Sequence, residues 1–76
     1  MLFLSLHAVR QMQRRHIERD EVLEALKNRE TVYVAAGDAS ATVILGRTQE
    51  GRRLKVVVSS TDEEHVITVA DRGQEV

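Results

Sequence analysis

The 76-residue sequence has no cysteine, no proline and no tryptophan, and it carries one phenylalanine and one tyrosine. Without thiols there are neither disulfides nor thiolate metal sites, a composition that fits a reducing compartment. With so few aromatics, the core must be built from Val, Ile, Leu, Ala and Met. No run approaches the ~20 apolar residues of a membrane-spanning helix, and the opening MLFL is too short for a signal-peptide apolar segment. The expectation is a cytoplasmic protein with no membrane contact. At this length a chain buries only about 60% of its extended surface, so residues 1–76 are expected to form one small domain.

Nor is there a large charge of either sign. The formal net charge is −1, which argues against the uniformly basic surface of a general nucleic-acid binder. The distribution is uneven, however. Arg10, Arg14, Arg15 and Arg19 face only Glu18 in their segment, and Arg47, Arg52, Arg53 and Lys55 face only Glu50 in theirs. The acids collect between residues 18 and 30 and again around Asp62, Glu63 and Glu64. Two basic segments far apart in the chain make one patch only if the fold joins them. Otherwise they belong to an ordinary mixed surface.

Ser5 is a good N-cap, and no Gly or Pro interrupts the following thirty residues. Leu6, Ala8, Val9 and Met12 recur at helical spacing and predict a first helix over 6–15. A second helix should start around Glu18, with Ile17 and Val22 as a hydrophobic staple. Asp20 and Glu21 at its start and Lys27 at its end complement the helix dipole. From Thr31 the period changes to that of strands: TVYVAA (31–36), TVILGRT (42–48), RLKVVVSS (53–60) and HVITVAD (65–71). The short turn signals GDAS, QEGR and TDEE between them favour an antiparallel meander, and RGQEV reads as a loose tail. The expected fold is α+β, with two N-terminal helices packed on one face of a four-stranded antiparallel sheet.

Taken in order, "SLHAVRQMQRRHIERDEVLEAL" and "GRRLKVVVSSTDEEHVITV" resemble the bacterial family called domain of unknown function 4258. Its pattern runs H-A-x-x-R-M-x-x-R-G-I, then an acidic helix, a glycine hairpin and a closing I-T-V-Y. The resemblance covers about residues 4 to 72. His7, Ala8, Met12, Arg15 and Ile17 match. Gln11 stands in place of Arg, His16 in place of Gly, and Ala70 in place of an aromatic. The family is similar to the RelE, ParE and BrnT group of small toxins, many of which cleave RNA. This likeness implies a RelE/ParE-like domain from a toxin–antitoxin pair, working as a metal-independent ribonuclease on RNA or ribosome-bound message. Its partner would be a cognate antitoxin or another protein, and a homodimer is compatible with it. No cofactor is implied.

On a helical wheel at 100° per residue, His7, Gln11 and Arg14 cluster, Arg10 and Arg15 flank them, and Leu6, Ala8, Val9 and Met12 lie opposite. Metal-free RNA cleavage needs a base for the 2′-OH, cations for the charge on phosphorus and an acid for the leaving oxygen. A histidine among guanidiniums suits the first two needs, because nearby positive charge favours the neutral ring. In the third strand Leu54, Val56 and Val58 point inward, leaving Arg53 and Lys55 on the other face. In RelE-like folds that uncovered face is the substrate groove. The candidate catalytic groups are therefore His7, Arg15 and Lys55, and the candidate RNA-binding groups are Arg10, Arg14, Arg47 and Arg53. If helix 1 covers the opposite sheet face, His7 and Lys55 do not share a site. Tyr33 has two readings, a base-stacking ring or a packing residue. His16 and His65 lack partners at metal-ligand spacing, so no metal site is expected. The competing functional class is a non-catalytic protein-interaction domain on the same fold, in which these charges only solvate the surface.

Overall fold

The Ser5 hydroxyl accepts the Ala8 amide at 3.0 Å and opens the first helix. This bond satisfies one of the donors that a helix start leaves free. A computed structural model describes residues 1–72. In chain order these residues form β1 (Phe3–Leu4), α1 (Leu6–Arg15), α2 (Arg19–Lys27), β2 (Arg29–Val34), β3 (Ala41–Arg47), β4 (Arg53–Ser59) and β5 (Asp62–Asp71). From Gly73 on, the expected loose tail lies outside the described residues.

Helix α1 ends at His16, whose φ of 55° and ψ of 48° lie in the left-handed region. The His16 amide turns back to the Gln13 carbonyl, and the Ile17 amide reaches the Met12 carbonyl at 2.9 Å. Together these bonds make a Schellman motif, and buried Ile17 packs in the same cluster as Met12. Helix α2 then starts at once. Glu21 accepts the Glu18 amide at 2.9 Å, and Ile17 and Val22 are both buried as a staple requires.

The sheet has five strands, in the order β1-β5-β4-β3-β2. β1 runs parallel to β5 and the other pairs are antiparallel. The sheet is thus mixed, which corrects the expected four-stranded antiparallel meander; the α+β class holds. The missed strand is two residues long, too short to display any alternation. It exists because the chain entering α1 donates the Ser5 amide to the Val66 carbonyl at 2.9 Å. The acidic stretch TDEE is also not a loop. β5 already begins at Asp62, with register shifts against β4 on both sides of Val58.

Helix α1 packs on β5 and α2 on β3 and β4. The core between helices and sheet is aliphatic, as the lack of aromatics requires. Ala8, Met12, Ile17, Val22 and Ala25 meet Ile44, Leu54, Val56, Val58, Val66 and Val69. Helix α1 is rotated from the expected wheel, and Leu6 is 64% exposed. The cause is the β5 edge that α1 runs along. Ser5 Oγ donates to the Ile67 carbonyl at 2.8 Å, and Gln11 Oε1 accepts the Val69 amide at 3.1 Å. Satisfying those edge groups turns the Ala8, Gln11, Met12 and Arg15 side inward and Leu6 outward. No helix among the described residues is long and apolar enough to cross a membrane.

Candidate nucleic-acid interface

Strand alternation decides which charges share a surface. Leu54, Val56 and Val58 are fully buried under the helices, so Arg53, Lys55, Val57 and Ser59 lie on the opposite, open face. Arg47 pairs with Arg53 and shares that face. The Thr48 amide donates to the Arg52 carbonyl at 2.9 Å. This makes 48/52 a hydrogen-bonded pair and the adjacent 47/53 the closer, non-hydrogen-bonded kind, with Cα atoms about 4.5 Å apart. Like charges set directly opposite each other destabilise a sheet.

Two neighbours share this row. The Arg72 amide donates to the Arg53 carbonyl at 3.1 Å, which brings a third guanidinium alongside. Glu30, at the irregularity between Arg29 and Thr31 in β2, accepts Arg72 Nη2 at 2.6 Å and pairs with Arg47 Nε at 3.1 Å. The Arg72 hydrogen bond, aided by the charges of Arg47, Arg72 and Arg53, outweighs desolvation and holds the Glu30 carboxyl below its ordinary range. One carboxylate thus serves three guanidiniums across the end of the open face. Two residues further along β4, Lys55 is half-buried between Leu45 and Ala70, with an interaction partner in the fold. Tyr33, 45% exposed, pairs with Val43 beyond it.

The groups on α1 are elsewhere. His7, Arg10 and Arg14 are exposed on the outer side of that helix, which packs against β5 from the sheet's helical side. Arg15 is half-buried, and its Nε is buried without a hydrogen-bond partner among the described residues. Its charge acts on Asp71, which pairs with Leu54 and so belongs to the covered side. The structure therefore brings Arg47, Arg53 and Lys55 together and separates them from His7, Arg10, Arg14 and Arg15. Among the described residues no group of three or more His, Asp or Glu side chains is arranged to hold a metal ion.

Two residues that join the elements were not singled out from the sequence. Arg52 grips Asp71 with Nε at 2.8 Å and Nη2 at 3.1 Å. The same guanidinium donates to the carbonyls of Arg15 at 2.8 Å and His16 at 3.0 Å, and lies 3.5 Å from Glu21. It ties the end of α1, the start of α2 and the end of β5. The Arg52 hydrogen bond, aided by the charges of Arg52 and Arg15, outweighs burial and lowers the Asp71 pKa. In sequence Arg52 is one of several neighbouring bases, and nothing local distinguishes it. Beside it, between α2 and the 48–52 turn, lies a groove of about 570 Å³ where the carboxylates of Glu18, Asp20, Glu21, Glu24 and Glu50 outnumber the guanidiniums of Arg19 and Arg52. The net negative charge of that lining disfavours a phosphate there.

The family described as Domain of unknown function (DUF4258) matches residues 4–71, and the chain belongs to it. No curated protein and no solved structure matches the chain.

Proposed function

We propose that this DUF4258 member is a small toxin-like RNA-binding protein that seats the phosphate backbone on the open face of its sheet. One observation carries the reading: Arg47 and Arg53 stand directly opposite each other, beside Arg72, with Glu30 as the carboxylate between them. The mutual repulsion of such a pair is relieved by an anion, and guanidiniums donate to phosphate oxygens in a two-pronged geometry. Lys55 extends the positive track toward Tyr33, whose exposed ring offers a stacking surface for a base. The resemblance to RelE, ParE and BrnT toxins adds RNA cleavage as the activity of this surface. There Arg47, Arg53 and Lys55 would stabilise charge on the phosphorus. His7 lies on the other side of the sheet and takes no part in that chemistry. Binding without cleavage is the second reading, favoured by the place of His7, the candidate base, on α1 at the other side of the sheet.

The test is RNA affinity as a function of salt, measured by fluorescence anisotropy with a short single-stranded oligonucleotide. Each lost phosphate contact should flatten the log–log slope by about 0.7, so Arg53→Ala and Lys55→Ala each flatten it. His7→Ala and Arg14→Ala leave it unchanged. Absence of binding at low salt, or a loss confined to the α1 variants, overturns the reading. Gel analysis of the same RNA after long incubation separates cleavage from binding.

A further inference from the structure

Among the described residues strand β2 has β3 on one side and no strand on the other, and all six of its residues are exposed. Such edges are usually blunted by charge, proline or a bulge. Here the irregularity lies between Arg29 and Thr31, and the following Thr31-Val32-Tyr33-Val34 carries no charge and no proline. Val32, Tyr33 and Val34 are 45%, 45% and 59% exposed. Helix α2 packs on β3 and β4, leaving Val32 and Val34 uncovered on its side of the sheet, and Tyr33 stands on the open side.

We propose that β2 is the contact surface of a homodimer, in which two copies pair antiparallel about a twofold axis at Tyr33. The backbone sets the register. The Ala35 amide donates inward to the Ala41 carbonyl at 2.9 Å, so in an alternating ladder Thr31 and Tyr33 also bond inward to β3. The amides and carbonyls of Val32 and Val34 point outward. An antiparallel copy centred on Tyr33 sets Val32 opposite Val34 of the second copy, and Val34 opposite its Val32. These two pairs exchange about four backbone hydrogen bonds. Residues opposite one another in a sheet share a face, so the four valines gather on the helical side and the two Tyr33 rings meet on the open side. A register centred on Val32 would instead set apolar Val34 against Glu30.

Charge selects the same arrangement. Lys27, Arg29 and Glu30 precede the uncharged stretch and leave that end with one net positive charge, and Asp38 follows it. Antiparallel pairing puts the basic end of each copy beside the acidic end of the other, whereas parallel pairing sets like against like. A symmetric contact of this kind closes on itself and does not propagate into fibres. The dimer shares Tyr33 with the proposed RNA surface, and the measurements below read the dimer in the absence of RNA.

The test uses the full chain. Sedimentation equilibrium from micromolar to near-millimolar protein should show a monomer–dimer equilibrium and nothing larger. Because the sequence contains no cysteine, Tyr33→Cys introduces one thiol per copy at a close pair. The Cα spacing of about 4.5 Å lies within the range that a disulfide spans. Mild oxidation should convert this variant to a covalent dimer. Thr31→Cys should stay monomeric on gels, since its two copies lie about four residues apart along the strands, roughly 13 Å. Val34→Lys, at an exposed position, should keep the wild-type circular dichroism spectrum and weaken dimerisation more than tenfold. A wild type that remains monomeric throughout overturns the proposal. So does Thr31→Cys cross-linking as readily as Tyr33→Cys, or an undiminished dimer in Val34→Lys.

Discussion

Adding one methyl group at Gly46 tests how α2 is seated. A Cβ built there lies 2.0 Å from the Ala25 carbonyl oxygen, 2.7 Å from its carbon and 3.0 Å from its Cα. All three are backbone atoms of α2, so no rotamer change clears them. An ordinary carbon–oxygen contact needs about 3.3 Å, so the helix must lift by roughly 1 Å or β3 must bend away. Either movement loosens Val22 and Ala25 from Ile44 and Leu54, all four fully buried. Overpacking a core costs about 1–3 kcal/mol, occasionally more. A backbone obstacle belongs at the upper end, near 3 kcal/mol, less about 0.4–1 kcal/mol recovered because alanine stiffens the unfolded chain. A domain of this size has about 4–11 kcal/mol in total. At about 4–8 °C per kcal/mol, Gly46→Ala should lower Tm by about 8–20 °C. Thermal melts followed by circular dichroism, supported by urea midpoints, measure this. Gly51→Ala is the control: it meets no atom within 4 Å, and its cost comes from a φ of +89° alone. A Gly46→Ala melt within about 3 °C of wild type would show that α2 does not press on β3 at this point.

Arg52→Lys keeps a positive charge but loses the fork that reaches Asp71 and two carbonyls. It should cost about 1–2 kcal/mol after allowance for partial exposure, and Arg52→Ala should cost more. Urea midpoints equal to wild type for Arg52→Lys would reduce this guanidinium to a generic surface charge. The Asp71 pKa is lowered by folding, so its contribution is complete above the ordinary aspartate value and disappears as pH falls through the lower folded value. Stability titrated downward from about pH 4 should therefore fall less steeply in Asp71→Asn than in wild type. An equal slope in both would contradict the linkage. His16 occupies the left-handed region, which costs a side-chain-bearing residue about 1–2 kcal/mol. With glycine's greater unfolded-state entropy set against that, His16→Gly should stabilise by about 0.5–1 kcal/mol. A lower Tm in this variant would mean that the imidazole makes a contact worth more than the strain.

What the amino-acid order determined by itself is local. The Ser5 cap, the first helix over 6–15, the Ile17/Val22 staple and the alternation of Leu54, Val56 and Val58 each depend on residues within a few positions of one another. Such features follow from dihedral preference and side-chain period, and they appear in the structure where the sequence puts them. The open-face set Arg47, Arg53 and Lys55 was legible for the same reason, since a period of two assigns each residue to a face. Tertiary structure decided what depends on closing long loops. β1 became a strand because residues more than sixty positions later supplied its hydrogen-bond partners. Gln11 was turned inward by an unpaired amide on β5, and with that turn Leu6 was left in solvent. His7 and Lys55 were parted by the thickness of the sheet. Glu30 met Arg72, and Arg52 met Asp71, only after β2 to β5 had aligned. A side chain's face is a local property, whereas its partner is chosen by the distant chain whose unsatisfied polar groups need it.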